Sequence, residues 1–199
     1  MAELRALLGQ PKARSLAKDI GRLDAHCRAF IALSPFLMMS TSAVDGRCDA
    51  SPRGDQPGFV AVLDDHTLAL PERPGNRRAD SLTNLLDNPE VGLLFLVPGV
   101  EEELRVNGPA RLVRDGWLLD RLAVEQKRPQ LAIVVTVREA YFHCAKAVRR
   151  AQLWDPARQP PRSAIPSLGC ILHDQLGVTD QSAAEMDAAL EESYRATLW

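Results

Sequence analysis

Cysteine is scarce in this chain, and what there is cannot form the usual sites. Cys27, Cys48, Cys144 and Cys170 contain no C-x-x-C pair, and their spacing fits no common zinc module. No metal site is therefore expected, and the cysteines read as reduced, small, buried apolar residues. The chain also lacks G-x-G-x-x-G, the Walker A sequence and G-x-S-x-G. The common dinucleotide, P-loop and α/β-hydrolase routes are thereby removed. His26, His66, His143 and His173 are scattered and assemble no nucleophile–base pair in sequence. No apolar run is long enough to span a bilayer, and the N-terminus has no signal-peptide h-region, so a cytoplasmic protein without a membrane partner is expected. A net charge of −2 offers no general attraction for nucleic acid.

What is present is enough apolar material for one packed domain. The 199 residues are 46% hydrophobic and 25% charged. Residues 1–34 read as a helical extension, with leucines at helical spacing broken near Gly9-Gln10-Pro11. Residues 35–150 change texture to short strands. Strands are expected at 36–42, 48–52, 59–63, 67–70, 91–97, 104–113 (interrupted at Asn107-Gly108-Pro109) and 131–142, the first pair joined by an Asp45-Gly46 turn. The 91–97 run is near-continuously apolar and reads as buried on both faces. Helices are expected at 80–87, with Leu82, Leu85 and Leu86 facing the core, at 115–126 and at 145–153. Residues 151–199 form a proline-rich irregular arm and a last helix over 182–198. Mostly hairpin-joined strands with helices at the ends imply a mainly β, α+β fold: a small antiparallel barrel with peripheral helices.

One run stands out: Leu70-Pro-Glu-Arg-Pro-Gly-Asn-Arg-Arg-Ala-Asp-Ser-Leu82. It sets Arg73, Arg77 and Arg78 around a Pro-Gly turn where a strand hands over to a helix. Asn76 is placed to cap that helix and leave its first N–H groups facing outward, as in an anion site. Positive charge at a helix N-terminus is unfavourable unless an anion offsets it, and guanidinium forks suit phosphate oxygens. A second cluster, Ser51-Pro-Arg-Gly-Asp-Gln-Pro-Gly-Phe59, lies one hairpin earlier. Arg53 is placed to join Arg77 and Arg78 around one phosphate, while Gly54 and Gly58 would let a flat ring approach the backbone. The competing reading of Arg53-Gly-Asp55 is a surface turn held by an Arg–Asp pair. With a phosphate site and no evident acid–base set, a cofactor would carry the chemistry.

These residues resemble the pyridoxamine 5'-phosphate oxidase-like, FMN-binding split-barrel superfamily, and within it a bacterial branch of probable FMN-dependent enzymes. The resemblance rests on Asp49-Ala-Ser-Pro-Arg-Gly-Asp55, Pro57-Gly-Phe-Val60, Leu63-Asp-Asp65, the Leu70-to-Arg78 run, Asp80-Ser-Leu82, Asn88-Pro89, Val91-Gly-Leu-Leu-Phe95 and Leu104-Arg-Val-Asn-Gly108. It implies a six-stranded antiparallel split barrel and a homodimer holding FMN in clefts between subunits. Carried onto this chain, it implies that Arg53, Asn76, Arg77 and Arg78 hold the phosphate, with Arg73 beside them. Ser51, Pro52 and Gly54 would line the flavin, and Arg105 and Asn107 would reach its edge from the partner subunit. Trp154 would lid the ring or anchor the C-terminal arm. The implied activity is an FMN-dependent oxidoreductase passing hydride between the flavin and a small molecule or a reduced nicotinamide. The alternatives are a flavin carrier or sensor without turnover, and a haem- or deazaflavin-binding barrel. The tail Cys170-Ile-Leu-His-Asp-Gln-Leu176 lacks the arginines that flank His-Asp in the true oxidase signature, which counts against vitamer oxidation.

Overall fold

A computed structural model describes residues 2–198. Three helices precede the first strand: α1 (Ala2–Leu8), α2 (Ala13–Ala17) and α3 (Ala25–Leu33). Asp24 caps α3, its carboxylate accepting the Cys27 N–H at 2.9 Å. Leu23, Cys27 and Ile31 carry this region into the main core. By contrast, α1 and α2 bury nothing.

Eight strands follow. They are β1 (Phe36–Ser42), β2 (Cys48–Gly54), β3 (Ala61–Asp64), β4 (Thr67–Pro71), β5 (Glu90–Leu96), β6 (Leu104–Val113), β7 (Ala132–Thr136) and β8 (Glu139–Phe142). Helix α4 (Asp80–Asp87) joins β4 to β5, α5 (Gly116–Arg121) joins β6 to β7, and α6 (Lys146–Ala151) follows β8. All pairings are antiparallel, in the order β2-β1-β5-β6-β7-β4-β3, with β8 also on β6. The sheet is not closed, and its edge strands are β2, β3 and β8; β6 runs unbroken through Asn107-Gly108-Pro109, where the sequence predicts an interruption, because β5 and β8 pair it there. Strand β6 serves both halves: its first residues pair β5 and β8, and Ala110 to Val113 pair β7.

The strand expected over 131–142 is broken in two because its neighbours change. Val137 N–H donates to His66 O at 2.8 Å, while Arg138 N–H donates to Asn107 O at 2.9 Å. The chain passes there from one half of the sheet to the other. Gly108 permits the crossing, since a Cβ at that position would stand 1.9 Å from Thr136 O.

Three further expectations need correction. Strand β5 is buried on one face only: Val91, Leu93 and Phe95 are buried, while Gly92, Leu94 and Leu96 are half-buried. Helix α4 bonds to inward-facing residues of β1 and β2, leaving the other face of this half uncovered by it. On α4 itself Leu85 is buried but Leu86, one 100° step round, is 73% exposed. The helix expected over 115–126 ends at Arg121, because Glu125 and Gln126 take positive φ in a tight turn.

Of the cysteines only Cys27 is buried. Cys48 and Cys144 are exposed and Cys170 is partly exposed, so three of them are not core residues.

After α6 comes a proline-rich stretch with two single-turn helices, then α7 (Leu168–Leu176) and α8 (Ala183–Thr197). The sequence reading expected α8 and missed α7. Its signals were short: Ser167 accepts the Cys170 N–H as cap, and Gly177 ends the helix at φ +63°.

Candidate functional site

Alternation along the edge strand β2 places Asp49, Ser51 and Arg53 toward the inside of the sheet and Ala50, Pro52 and Gly54 outside. Residues 72–79 leave β4 and run to α4. Two ion pairs link this segment to the end of β2. Arg53 Nη1 donates to Glu72 Oε2, and Arg73 Nε donates to Asp55 Oδ2 at 2.6 Å. The Asp55 side chain is 0% exposed and Arg73 16%. Arg73 also donates to Leu122 O at 2.9 Å. The pairs therefore clip β2 to the end of β4 across the open seam. Asp55 is bound to Arg73 and not to Arg53, so the competing reading, a local Arg–Asp turn, does not hold. Arg53 Nε is buried without a hydrogen-bond partner, which leaves one donor unused beside the seam.

Arg77 and Arg78 differ from these two. Arg77 is exposed, and its φ of 59° puts it in the left-handed region. Ala79 also takes a left-handed φ, 57°, and it is Ala79, not Asn76, that occupies the N-cap position of α4. The capping expectation for Asn76 is therefore corrected: its Oδ1 accepts the Arg78 N–H at 3.0 Å, forming a tight turn one step earlier. Helix α4 has no side-chain cap, so its leading N–H groups keep their capacity for an anion. Two left-handed non-glycine residues cost of order 1–3 kcal/mol each. Arg78 Nε donates to Asp80 Oδ2 at 2.7 Å, and this contact raises the guanidinium pKa.

Helix α4 is held against β2 and β1 along its length by hydrogen bonds. Ser81 Oγ donates to Asp49 Oδ2 at 2.5 Å, Asn84 Nδ2 to Thr41 Oγ1 at 3.0 Å, and Asn88 Nδ2 to Ser42 O and Oγ at 3.0 Å. The sequence reading missed Glu72, Asp55, Asp49 and Ser81 as parts of this frame. Glu72 stood inside the arginine run, and its charge was the only signal. Gly58 has a packing reason rather than a ligand reason: its φ is +81°, and a Cβ would meet Ala32 O at 3.2 Å. Gly54 makes only ordinary contact with Phe36.

Arg105 and Asn107 sit elsewhere. The register places Pro52, Met38, Leu94 and Arg105 in one row across β2, β1, β5 and β6. Three strand spacings separate Pro52 from Arg105, about 14 Å. The row lies on the outer face, opposite Arg53, so one chain alone does not bring Arg105 and Asn107 to the arginine cluster. They share Glu139, whose Oε2 accepts from Asn107 Nδ2 at 2.6 Å and from Arg105 Nη2 at 3.2 Å. Beside them is a cluster that sequence reasoning passed over. Lys18 Nζ lies 4.5 Å and Arg105 Cζ 5.2 Å from the Tyr141 ring centre, and the His143 ring, tilted by 53°, is centred 5.2 Å away. Burial, with Lys18 and Arg105 nearby, lowers the His143 pKa against a smaller opposing pull from Glu103. Trp154 Nε1 donates to Val100 O at 2.7 Å, tying the chain after α6 to the β5–β6 tip.

A cavity of about 440 Å³ opens on the α3 side of the Asp55–Arg73 pair, with Arg28, Phe59, Val62 and Arg121 in its wall. Among the described residues no group of three or more His, Cys, Asp or Glu side chains could hold a metal ion.

Parts of the chain match known proteins. A family model described as "Pyridoxamine 5'-phosphate oxidase" matches residues 23–144. The comparison with curated proteins gave no match. Among solved structures, a single-site variant of HupZ from Group A Streptococcus aligns at TM-score 0.50 and 15% identity, covering 61% of this chain and 99% of its own. A protein from Lactobacillus delbrueckii described as a "putative pyridoxamine 5'-phosphate oxidase" aligns at 0.49 and 18%, covering 62% and 98%. An FMN-binding protein from Syntrophomonas wolfei aligns at 0.48 and 15%, covering 59% and 83%. At these identities the likeness is one of fold.

Proposed function

Because the chain belongs to the pyridoxamine 5'-phosphate oxidase family, we propose that it binds FMN and serves as a flavin-dependent oxidoreductase acting on a small molecule, as a homodimer. The observation that carries this reading is the uncapped start of α4 with Arg77 and Arg78 beside it, pinned to the edge strand β2. The residues present fit a phosphate monoester. The leading N–H groups of α4 and the exposed Arg77 form the donor set, with Arg78 shared with Asp80 and the unpartnered Arg53 Nε beside it.

In this assignment Arg77, Arg78 and the first N–H groups of α4 hold the phosphate. Ser51 and the outward Pro52 and Gly54 lie along the strand where the ring system would extend. Arg73 positions the segment through Asp55 and does not bind the ligand. Arg105 and Asn107 face away from the cluster of their own chain, as residues supplied to a second subunit's site would. Trp154 acts as an anchor. When bound, FMN would supply two-electron chemistry at its ring. The chain's part is to fix the phosphate, orient the ring and exclude water.

The test is an absorption spectrum of the purified protein before and after incubation with FMN and removal of excess. Retained flavin bands, lost in an Arg77→Ala/Arg78→Ala variant, are expected. A wild-type protein that holds no flavin overturns the assignment.

A further inference from the structure

Both ends of the chain leave apolar side chains without cover. In α1 and α2, Leu4 is 50%, Leu7 82%, Leu8 70% and Leu16 64% exposed. At the other end α7 and α8 pack on each other, yet only Gly169 of that hairpin is buried. Ile165, Leu168, Leu176, Tyr194 and Leu198 stay exposed. Free apolar groups of this size at both ends of one chain are a feature of association surfaces.

The two ends carry opposite charge. Residues 2–17 hold Arg5, Lys12 and Arg14 against Glu3. Residues 155–198 hold seven acidic side chains against three arginines, with Glu185, Asp187, Glu191 and Glu192 all on α8. The ends do not cover each other within one chain, since every residue of α1 and α2 is exposed. At its root the arm is tied to the barrel tip, where Trp154 donates to Val100 O, and Pro156, Pro160, Pro161 and Pro166 stiffen the segment between that anchor and α7.

We propose that the acidic α7–α8 hairpin of one copy packs on the basic α1–α2 segment of a second copy, so that two chains exchange their ends. The proposal rests on the homodimer of the assignment above. Two-fold symmetry makes the contact occur twice, each copy giving one acidic and one basic end. Charge sets the partner and the orientation, and the leucines supply the buried area.

All four lysines, Lys12, Lys18, Lys127 and Lys146, lie outside the hairpin. A zero-length carbodiimide cross-link from a hairpin carboxylate to a lysine therefore reports the contact directly. Nitrogen-15-labelled and unlabelled full-length chains are mixed, and native mass spectrometry verifies that mixed dimers have formed. Mixed-isotope peptides joining Glu191 or Glu192 to Lys12 are expected. A chain that stays monomeric defeats the dimer and the exchange together. Mixed dimers whose hairpin-to-Lys12 links are all single-isotope, or absent, defeat the exchange and leave the dimer standing. Leu7→Glu supplies a second readout: it weakens the dimer roughly ten-fold without changing the fold, and unchanged dimer affinity overturns the proposal.

Discussion

Arg53 and Arg73 sit in the seam against carboxylates, whereas Arg77 and Arg78, a few residues further on, are exposed on a strained turn. All four belong to the same two sequence clusters. Their roles diverge because of what surrounds them. A guanidinium against a fully buried carboxylate is committed to the fold, and removing it strands a charge. An exposed guanidinium beside an uncapped helix start contributes little to stability and remains available to a ligand. Arginine enrichment alone therefore locates a site but does not say which arginines bind.

The sharpest way to break this division is to exchange the expected effects. Arg73→Met should cost about 3–5 kcal/mol, because Asp55 is left buried and unpaired. Denaturant unfolding measures this, and adding Asp55→Leu should restore much of the loss. A cost below about 1 kcal/mol would put Arg73 with the ligand-binding pair. Next in size, Arg77→Ala/Arg78→Ala should weaken FMN binding by about 1.5–3 kcal/mol, read by fluorescence titration. Its unfolding free energy should stay within about 0.5 kcal/mol of wild type.

Arg77→Gly refines the same contrast. Relief of the left-handed backbone meets or exceeds the added unfolded-state entropy, so stability should hold or rise, by up to about 2 kcal/mol, while binding weakens roughly ten-fold. A further contrast lies in the core and shows only at alkaline pH. Burial pushes the Cys27 thiol up to about 11, from an ordinary value of 9.0. Between those pH values the unfolded chain releases a proton that the folded chain keeps, so stability should fall as pH rises through the window. A Cys27→Val variant should lose that slope. In the folded protein a thiol reagent should reach Cys48 and Cys144 first and Cys27 last.

Much of this architecture was legible in the residues. The Asp45-Gly46 hairpin, the 80–87 helix and the Ser182 capping box are local signals, and each formed where local chemistry put it. The arginine run was legible as a site for the same reason: its charge and its turn are close in sequence. The pairings that sort those arginines were not. Arg53 meets Glu72, and Arg73 meets Asp55, only after two strands and a loop have closed on the seam. Nothing in the spacing says which carboxylate a guanidinium will find. Asn76 misled because a side chain that can cap a helix can equally close a turn one step earlier. Strand β5 misled because a continuous apolar run does not say how many of its faces the chain covers. Helix α7 went unread because four prolines precede it and mask a short cap.

The sharing of β6 between the two halves of the sheet bears on how the chain acquires its shape. The β1–β2 and β3–β4 hairpins can each zip up early from nearby residues. The β1–β2 hairpin pairs β5 directly and the β3–β4 hairpin pairs β7, so each half has a third strand of its own. What joins the two halves is one ten-residue strand, which β5 meets along its first part and β7 along its last. Loss of that strand would leave two separate three-stranded pieces with open inner edges. A chain emerging from the ribosome would assemble β1, β2 and β5 first, and would set as a single cooperative unit only once β7 had followed Leu104 to Val113.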